Sequence, residues 1–164
     1  MEISRKYKVV FTDLDDTLIE TITPGGFPKC ITDMKIKWDT WNALKDWARG
    51  RNDWAVRIVT NQGGIESGYV NEKYWRKKIE YIVAGLKEYL GGKNVDYLYS
   101  GTENPDSPFR KPNPGMLKAF WDKDFKNLQK TQAVMLGDSA GRLGDYSDCD
   151  KKAAENFGID FISI

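Results

Sequence analysis

The chain has 164 residues, 40% apolar and 30% charged, which suits one globular domain with its own core and excludes a disordered chain. Its 25 basic and 24 acidic residues leave a formal net charge of +1, which gives no support for extensive wrapping of duplex nucleic acid. Histidine is absent, so imidazole catalysis and histidine metal sites are excluded, and Cys30 and Cys149 lie too far apart for a metal-ligand spacing.

No apolar run approaches a membrane span, and MEISRKYKVV leads into a strand pattern rather than a leader, so a cytoplasmic protein is expected. Tyr7 to Thr12 reads as a buried strand running into DLDDTL, where Asp13, Asp15 and Asp16 crowd three carboxylates into four positions. Glu20 to Lys37 carries Pro24, Gly25-Gly26 and Pro28 as turn signals and reads as a small β-flap. Trp38 to Arg49 has a helical pattern, Trp54 to Thr60 is a second strand, and Asn71 to Leu90 a long helix. Val95 to Ser100 follows as a strand, then a helix over Pro114 to Phe125, a strand over Ala133 to Leu136 and a helix over Asp150 to Phe157. Phe161 to Ile164 closes the chain as a short strand.

Strands alternating with helices predict an α/β domain over residues 1–164, a parallel sheet flanked by helices on both faces. In such a sheet, ligands bind beyond the carboxyl ends of the strands. The polar residues that break the apolar runs then fall on one rim: Asp13, Thr60-Asn61, and Gly137-Asp138. Lys111 joins them, just before a helix start at Asn113-Pro114.

Asp13 and Asp15 are two apart and project to the same side of an extended chain. One carboxylate can attack a phosphorus while the other handles the proton of the leaving oxygen. Cancelling the repulsion between carboxylate and phosphoryl oxygens requires a cation, and Mg²⁺ prefers this oxygen-rich setting. Asp138 can complete its site, and the Thr60 hydroxyl and Lys111 ammonium can hold the remaining phosphoryl oxygens. Asp16 reads as a turn residue.

DLDDTL, Thr60, Lys111 and Gly137-Asp138 resemble, in order, the four motifs of the haloacid dehalogenase (HAD) superfamily. The resemblance implies a Rossmann-like HAD core, Mg²⁺ and a phosphoaspartyl intermediate. By it, Asp13 is the nucleophile, Asp15 the general acid/base with its backbone carbonyl on the metal, and Asp138 a further metal ligand. Phe27-Pro28, TNQGGI from Thr60, RKPNPGM from Arg110, GDSAGR from Gly137 and DYSDCDKKAAENFGIDF from Asp145 resemble the 3'-phosphatase domain of polynucleotide kinase/phosphatase. That implies a phosphorylated substrate, DNA or RNA 3' ends, in strand-break repair. Asn61 and Gln62 would line the site, and Arg142 and Asp145 would border it.

The loop Leu143-Gly144 is shorter than the basic insertion of the DNA-repair enzymes, and no G-x-x-x-x-G-K-S/T occurs, which leaves any kinase step to a separate partner. The related branch acting on heptose and histidinol phosphates carries a zinc-binding Cys/His loop that this sequence lacks. A HAD phosphatase for a small nucleotide or sugar phosphate is the alternative. The absence of a large cap domain favours an open site. A receiver-type signalling domain also combines Asp, Thr, Lys and Mg²⁺, but the order Asp13, Thr60, Lys111, Asp138 fits HAD instead.

Among the remaining features, Trp41, Trp47, Trp75 and Trp121 are expected in the core, and Phe27 and Trp38 are the candidates for base contact. Lys73, Arg76, Lys77 and Lys78 read as a solvated face of the long helix. Asp145 is kept as a site residue, whereas Asp150 reads as a first-turn carboxylate favoured by the helix dipole.

Overall fold

The computed structural model describes residues 1–164. Five strands form one parallel sheet: β1 (Val9–Thr12), β4 (Ala55–Asn61), β5 (Val95–Ser100), β6 (Ala133–Gly137) and β7 (Asp160–Ser163). Their order across the sheet is β5-β4-β1-β6-β7. All four residues of β1 are buried, because both faces of a parallel sheet are covered and the strand reads as a continuous apolar run. Helices α1 (Trp38–Ala48) and α2 (Glu72–Leu90) follow β1 and β4, and α3 (Gly115–Asp124) and α4 (Cys149–Phe157) follow β5 and β6.

Side chains alternate across the sheet, so β1 feeds two cores. Val10 packs with Val56, Ile58 and the α1 and α2 residues Leu44, Trp47, Trp75 and Ile79. Val9 and Phe11 pack with Val59, Met135 and the α3 and α4 residues Leu117, Phe120, Ala153 and Ala154. Trp41, Trp47, Trp75 and Trp121 are all buried, as expected. Asn71 caps α2 by accepting from the backbone N–H of Lys73 and Tyr74, and Gly91 ends it in the left-handed conformation with φ 70°.

Register fixes the rim. Thr12 lies level with Ile58 on β4 and with Leu136 on β6. The chain therefore leaves β1 at Asp13 within a residue or two of the level of Thr60 and Asp138. Asp16 then turns it with φ 56°, a left-handed conformation that aspartate tolerates better than most residues. The flap follows as two antiparallel strands, β2 (Ile19–Thr21) and β3 (Met34–Ile36), with Ile19 opposite Ile36. Asp33 gathers the intervening loop by accepting from the Thr23 hydroxyl at 2.6 Å. Between β4 and α2 there is only a loop, so no large cap domain covers the rim.

The segment carrying Lys111 is packed tightly onto the start of α3. A Cβ built on Gly115 would stand 2.2 Å from the Pro108 carbonyl oxygen. Gly115→Ala is expected to destabilise the protein by about 1–3 kcal/mol through this backbone clash, against the helix-propensity gain of alanine. Urea unfolding would read this as a lower midpoint at unchanged slope, and an unchanged midpoint would contradict the packing.

Candidate active site

The strand ends and the loop before α3 meet around Lys111. Its ammonium donates to Asp13 Oδ1 at 2.5 Å and to Asp150 Oδ1 at 2.7 Å, with all three side chains nearly or fully buried. Asn61, at the end of β4, holds the lysine backbone in both directions. Its Nδ2 donates to the Lys111 carbonyl and its Oδ1 accepts from the Lys111 N–H, each at 2.9 Å. Asp13 is fixed from its own backbone, whose N–H donates to the Leu136 carbonyl at 3.0 Å.

Carboxylate oxygens of Asp13, Asp138 and Asp150 lie within 4.8 Å of one another. Thr17 aligns Asp138: its hydroxyl lies 3.3 Å from Oδ1 and accepts from the Asp138 N–H at 3.2 Å. Ser139 aligns Asp150 by donating its N–H to Oδ2 at 3.2 Å. Gly137 makes room for Asp150, since a Cβ there would lie 2.4 Å from Asp150 Oδ2.

Three carboxylates crowd around one ammonium that pairs with two of them, and the electrostatics follow. Burial pushes the Asp13 carboxyl well above its ordinary range, and the charges of Asp150 and Asp15 push the same way against the pull of Lys111. Burial and Asp150 raise Asp138 as well. Burial acts to lower the Lys111 ammonium, but Asp13 and Asp150 outweigh it and hold the lysine charged. Acidic side chains thus outnumber the one ammonium among them.

Asp15 sits beside this group rather than in it. Its Oδ2 accepts from Gln62 Nε2 at 2.7 Å, and that same amide nitrogen donates to Thr60 Oγ1 at 2.9 Å. Its Oδ1 faces the ammonium of Lys78 at 3.5 Å. Asp13, Asp15, Thr60, Asn61, Gln62, Lys111, Asp138 and Asp150 all line one cavity of about 380 Å³. At its mouth Phe27 from the flap meets Tyr146 edge-on, ring centroids 5.7 Å apart, and Tyr69 stands alongside with Lys29 3.6 Å over its ring.

Residues 8–163 match the family model described as Polynucleotide kinase 3 phosphatase. The chain belongs to this family. It is a HAD-type phosphatase, and its relatives divide by substrate. The Bifunctional polynucleotide phosphatase/kinase of Schizosaccharomyces pombe is 29% identical over 163 residues, 98% of this chain and 37% of that protein, so the chain spans well under half of that relative's length. A protein of Thermoplasma acidophilum described as "Probable D-glycero-D-manno-heptose-1,7-bisphosphate 7-phosphatase" is 32% identical over 158 residues, 94% of this chain and 88% of that one. Among solved structures, the D,D-heptose 1.7-bisphosphate phosphatase of B. bronchiseptica, complexed with magnesium and phosphate, shares the fold. Its TM-score is 0.66 at 18% identity, covering 94% of this chain and 92% of that one.

The structure redistributes several sequence expectations. Asn61, expected among the phosphate-holding residues, lines the cavity but has its amide engaged with the Lys111 backbone. Arg142 and Asp145 pair with each other at 3.1 Å outside the cavity lining, and Arg142 also donates to the Asp138 carbonyl at 3.2 Å. Trp38 stays exposed but packs on Trp41 and Tyr89 away from the cavity. Asp150 does sit in the first turn of α4, but it is buried in the carboxylate group rather than solvated at a helix end. The signal was present: positions 150, 153 and 154 share one helical face, and the two alanines are core. Lys78 is likewise wholly buried, where a solvated face was expected.

Gly137→Ala is expected to drive the Asp150 carboxylate away from Lys111. Stability should fall by about 1–3 kcal/mol, and phosphate release should fall by more than about tenfold. Thermal unfolding and a phosphate-release assay on the same preparation check both, and full activity would show that Asp150 is not needed where it lies.

Proposed function

We propose that this phosphatase is a Mg²⁺-dependent phosphomonoesterase that works through a phosphoaspartyl group on Asp13 and acts on the 3'-phosphate ends of nucleic acid. The chemistry rests on one observation: a buried ammonium, Lys111, bridges Asp13 and Asp150 at the cavity floor, with Asp15 held two residues further on. Asp13 attacks phosphorus as the ester P–O bond breaks, and Asp15 gives its proton to the leaving oxygen. Water then attacks the phosphorus, passes its proton to Asp15, and releases phosphate and the free Asp13 carboxylate. Lys111 and Thr60 face the phosphoryl oxygens through both steps, and Asn61 keeps Lys111 in place.

The carboxylate group of Asp13, Asp138 and Asp150, all hard oxygen donors with surplus negative charge, fits Mg²⁺. By the family resemblance the Asp15 carbonyl would join them. Bound there, the ion supplies charge neutralisation for the approach of carboxylate to phosphate.

The 3'-end assignment is supported by the family match over residues 8–163 and by the mouth. Phe27, Tyr69 and Tyr146 offer aromatic faces, and no cap domain closes over them. The Thermoplasma relative favours a second reading, a sugar phosphate, although this chain has no Cys/His loop. Phosphate release from a 3'-phosphorylated oligonucleotide, a 3'-mononucleotide and a panel of sugar phosphates separates the two. The oligonucleotide should be turned over fastest, and equal or better turnover of a sugar phosphate would sink the 3'-end assignment. Asp13→Asn should abolish turnover of every ester while leaving the unfolding transition cooperative.

Metal linkage gives a pH signature. Asp13 and Asp138 have folded-state carboxyl groups raised above their unfolded values. Their contribution to stability is therefore present below the ordinary carboxylate range of about 4 and lost as pH rises through the raised values. The metal-free protein should lose stability over that window, and added Mg²⁺ should restore more of it at the alkaline end. At a hundredfold excess over Kd the gain is about 2.7 kcal/mol. Unfolding midpoints against pH, with chelator and with Mg²⁺, test this, and a Mg²⁺ effect that shrinks as pH rises would contradict it.

A further inference from the structure

Lys78 lies on the apolar face of α2, beside Trp75, Ile79 and Ile82, and its side chain has no exposed surface. Its neighbours Lys73, Arg76 and Lys77 are exposed. A lysine does not enter a core without partners, because removing an ammonium from water costs several kcal/mol. Here the partners are two. Nζ donates to the Pro28 carbonyl of the flap at 2.5 Å, and lies 3.5 Å from Asp15 Oδ1. Pro28 follows Phe27, the flap residue at the cavity mouth. One buried cation therefore joins α2, the flap and the carboxylate proposed to carry the proton.

We infer that Lys78 is a positioning residue for proton transfer, holding the Asp15 carboxylate toward the leaving oxygen with the flap docked over the cavity. Gln62 fixes one oxygen of Asp15 from β4, and Lys78 restrains the other from α2. With both oxygens held, the carboxyl group cannot swing out of line, and alignment of this kind governs how well a general acid works. When Asp15 transfers its proton to the leaving oxygen, it becomes a carboxylate in a buried setting. The Lys78 ammonium faces the charge that forms. Lys78 touches neither the phosphorus nor the ester, and it lies outside the cavity lining. The inference rests on the phosphatase reading and adds a residue to it.

Leaving-group dependence isolates this role from a merely structural one. An aryl ester such as p-nitrophenyl phosphate departs without needing a proton, whereas an alkyl ester such as a 3'-phosphorylated oligonucleotide or a sugar phosphate needs one. Lys78→Met keeps an unbranched side chain, one atom shorter, and removes the ammonium. It should lower kcat for the best alkyl ester on the order of 10- to 100-fold, part of the 10²–10⁴ that a general acid contributes. The burst rate of aryl alcohol release, which reports attack by Asp13 before water enters, should stay within about threefold, and KM for either ester should change little. Equal losses in the aryl burst rate and in alkyl-ester turnover, or none, would overturn the inference.

The double variant Asp15→Asn/Lys78→Met removes both charges and leaves no buried carboxylate unpaired, so it keeps the test open if Lys78→Met does not fold. It should hydrolyse alkyl esters no more slowly than Asp15→Asn alone, because Lys78 acts through Asp15. A further tenfold loss would show that Lys78 acts by another route. An unaltered protein active on aryl esters alone would also overturn the positioning role. An unaltered protein that releases phosphate from neither ester would overturn the phosphatase reading itself.

Discussion

The active site is organised by one buried ammonium among too many carboxylates. Lys111 satisfies Asp13 and Asp150 directly, yet Asp138 adds a third negative group within 4.8 Å. A single lysine cannot neutralise three carboxylates, and on the proposed reading a divalent cation balances the remainder. The scaffold is built to hold this lysine still. Asn61 clamps its backbone, the Pro108–Gly115 segment packs it down onto α3, and Gly137 is bare so that Asp150 can reach it. The remaining site residues take their places around that fixed point.

The sheet was legible because its physics is periodic. Apolar runs broken by polar residues gave five strands whose ends fall on one rim, and β5 was read with the bounds it has. β1, β4, β6 and β7 differ from their sequence bounds by a residue or two. The left-handed Asp16 and the antiparallel flap follow from the same turn chemistry that marked them in the sequence. Pro114 proved to cap α3 rather than to start it, a shift of one position that leaves Lys111 where the rim needs it.

What resisted reading were polar residues whose partners lie far along the chain. Asp150 looked like an ordinary helix-start carboxylate, and Lys78 like one more charge in a basic stretch. Their partners, Lys111 and the Asp15–Pro28 pair, are 39, 63 and 50 residues away. Helical spacing places each on the buried face of its helix, so the pattern was there, but a charge on an apolar face declares itself only when its partner is known. Asn61 was read only in part: its position at a strand end was clear, but its contact with the Lys111 backbone was not.

The floor and the mouth of the cavity answer different questions. On the proposed reading, the carboxylates, Lys111 and Thr60 carry the phosphate chemistry, and the aromatic residues Phe27, Tyr69 and Tyr146 select the group that bears the phosphate. The central claim concerns the floor: that Asp13 becomes phosphorylated during turnover. Borohydride reduction of the protein quenched during turnover converts an acyl-phosphate side chain to homoserine, which peptide mass spectrometry locates. The account predicts homoserine at position 13 and at no other carboxylate. Its appearance at position 15, 138 or 150, or at none while phosphate is released, would contradict it.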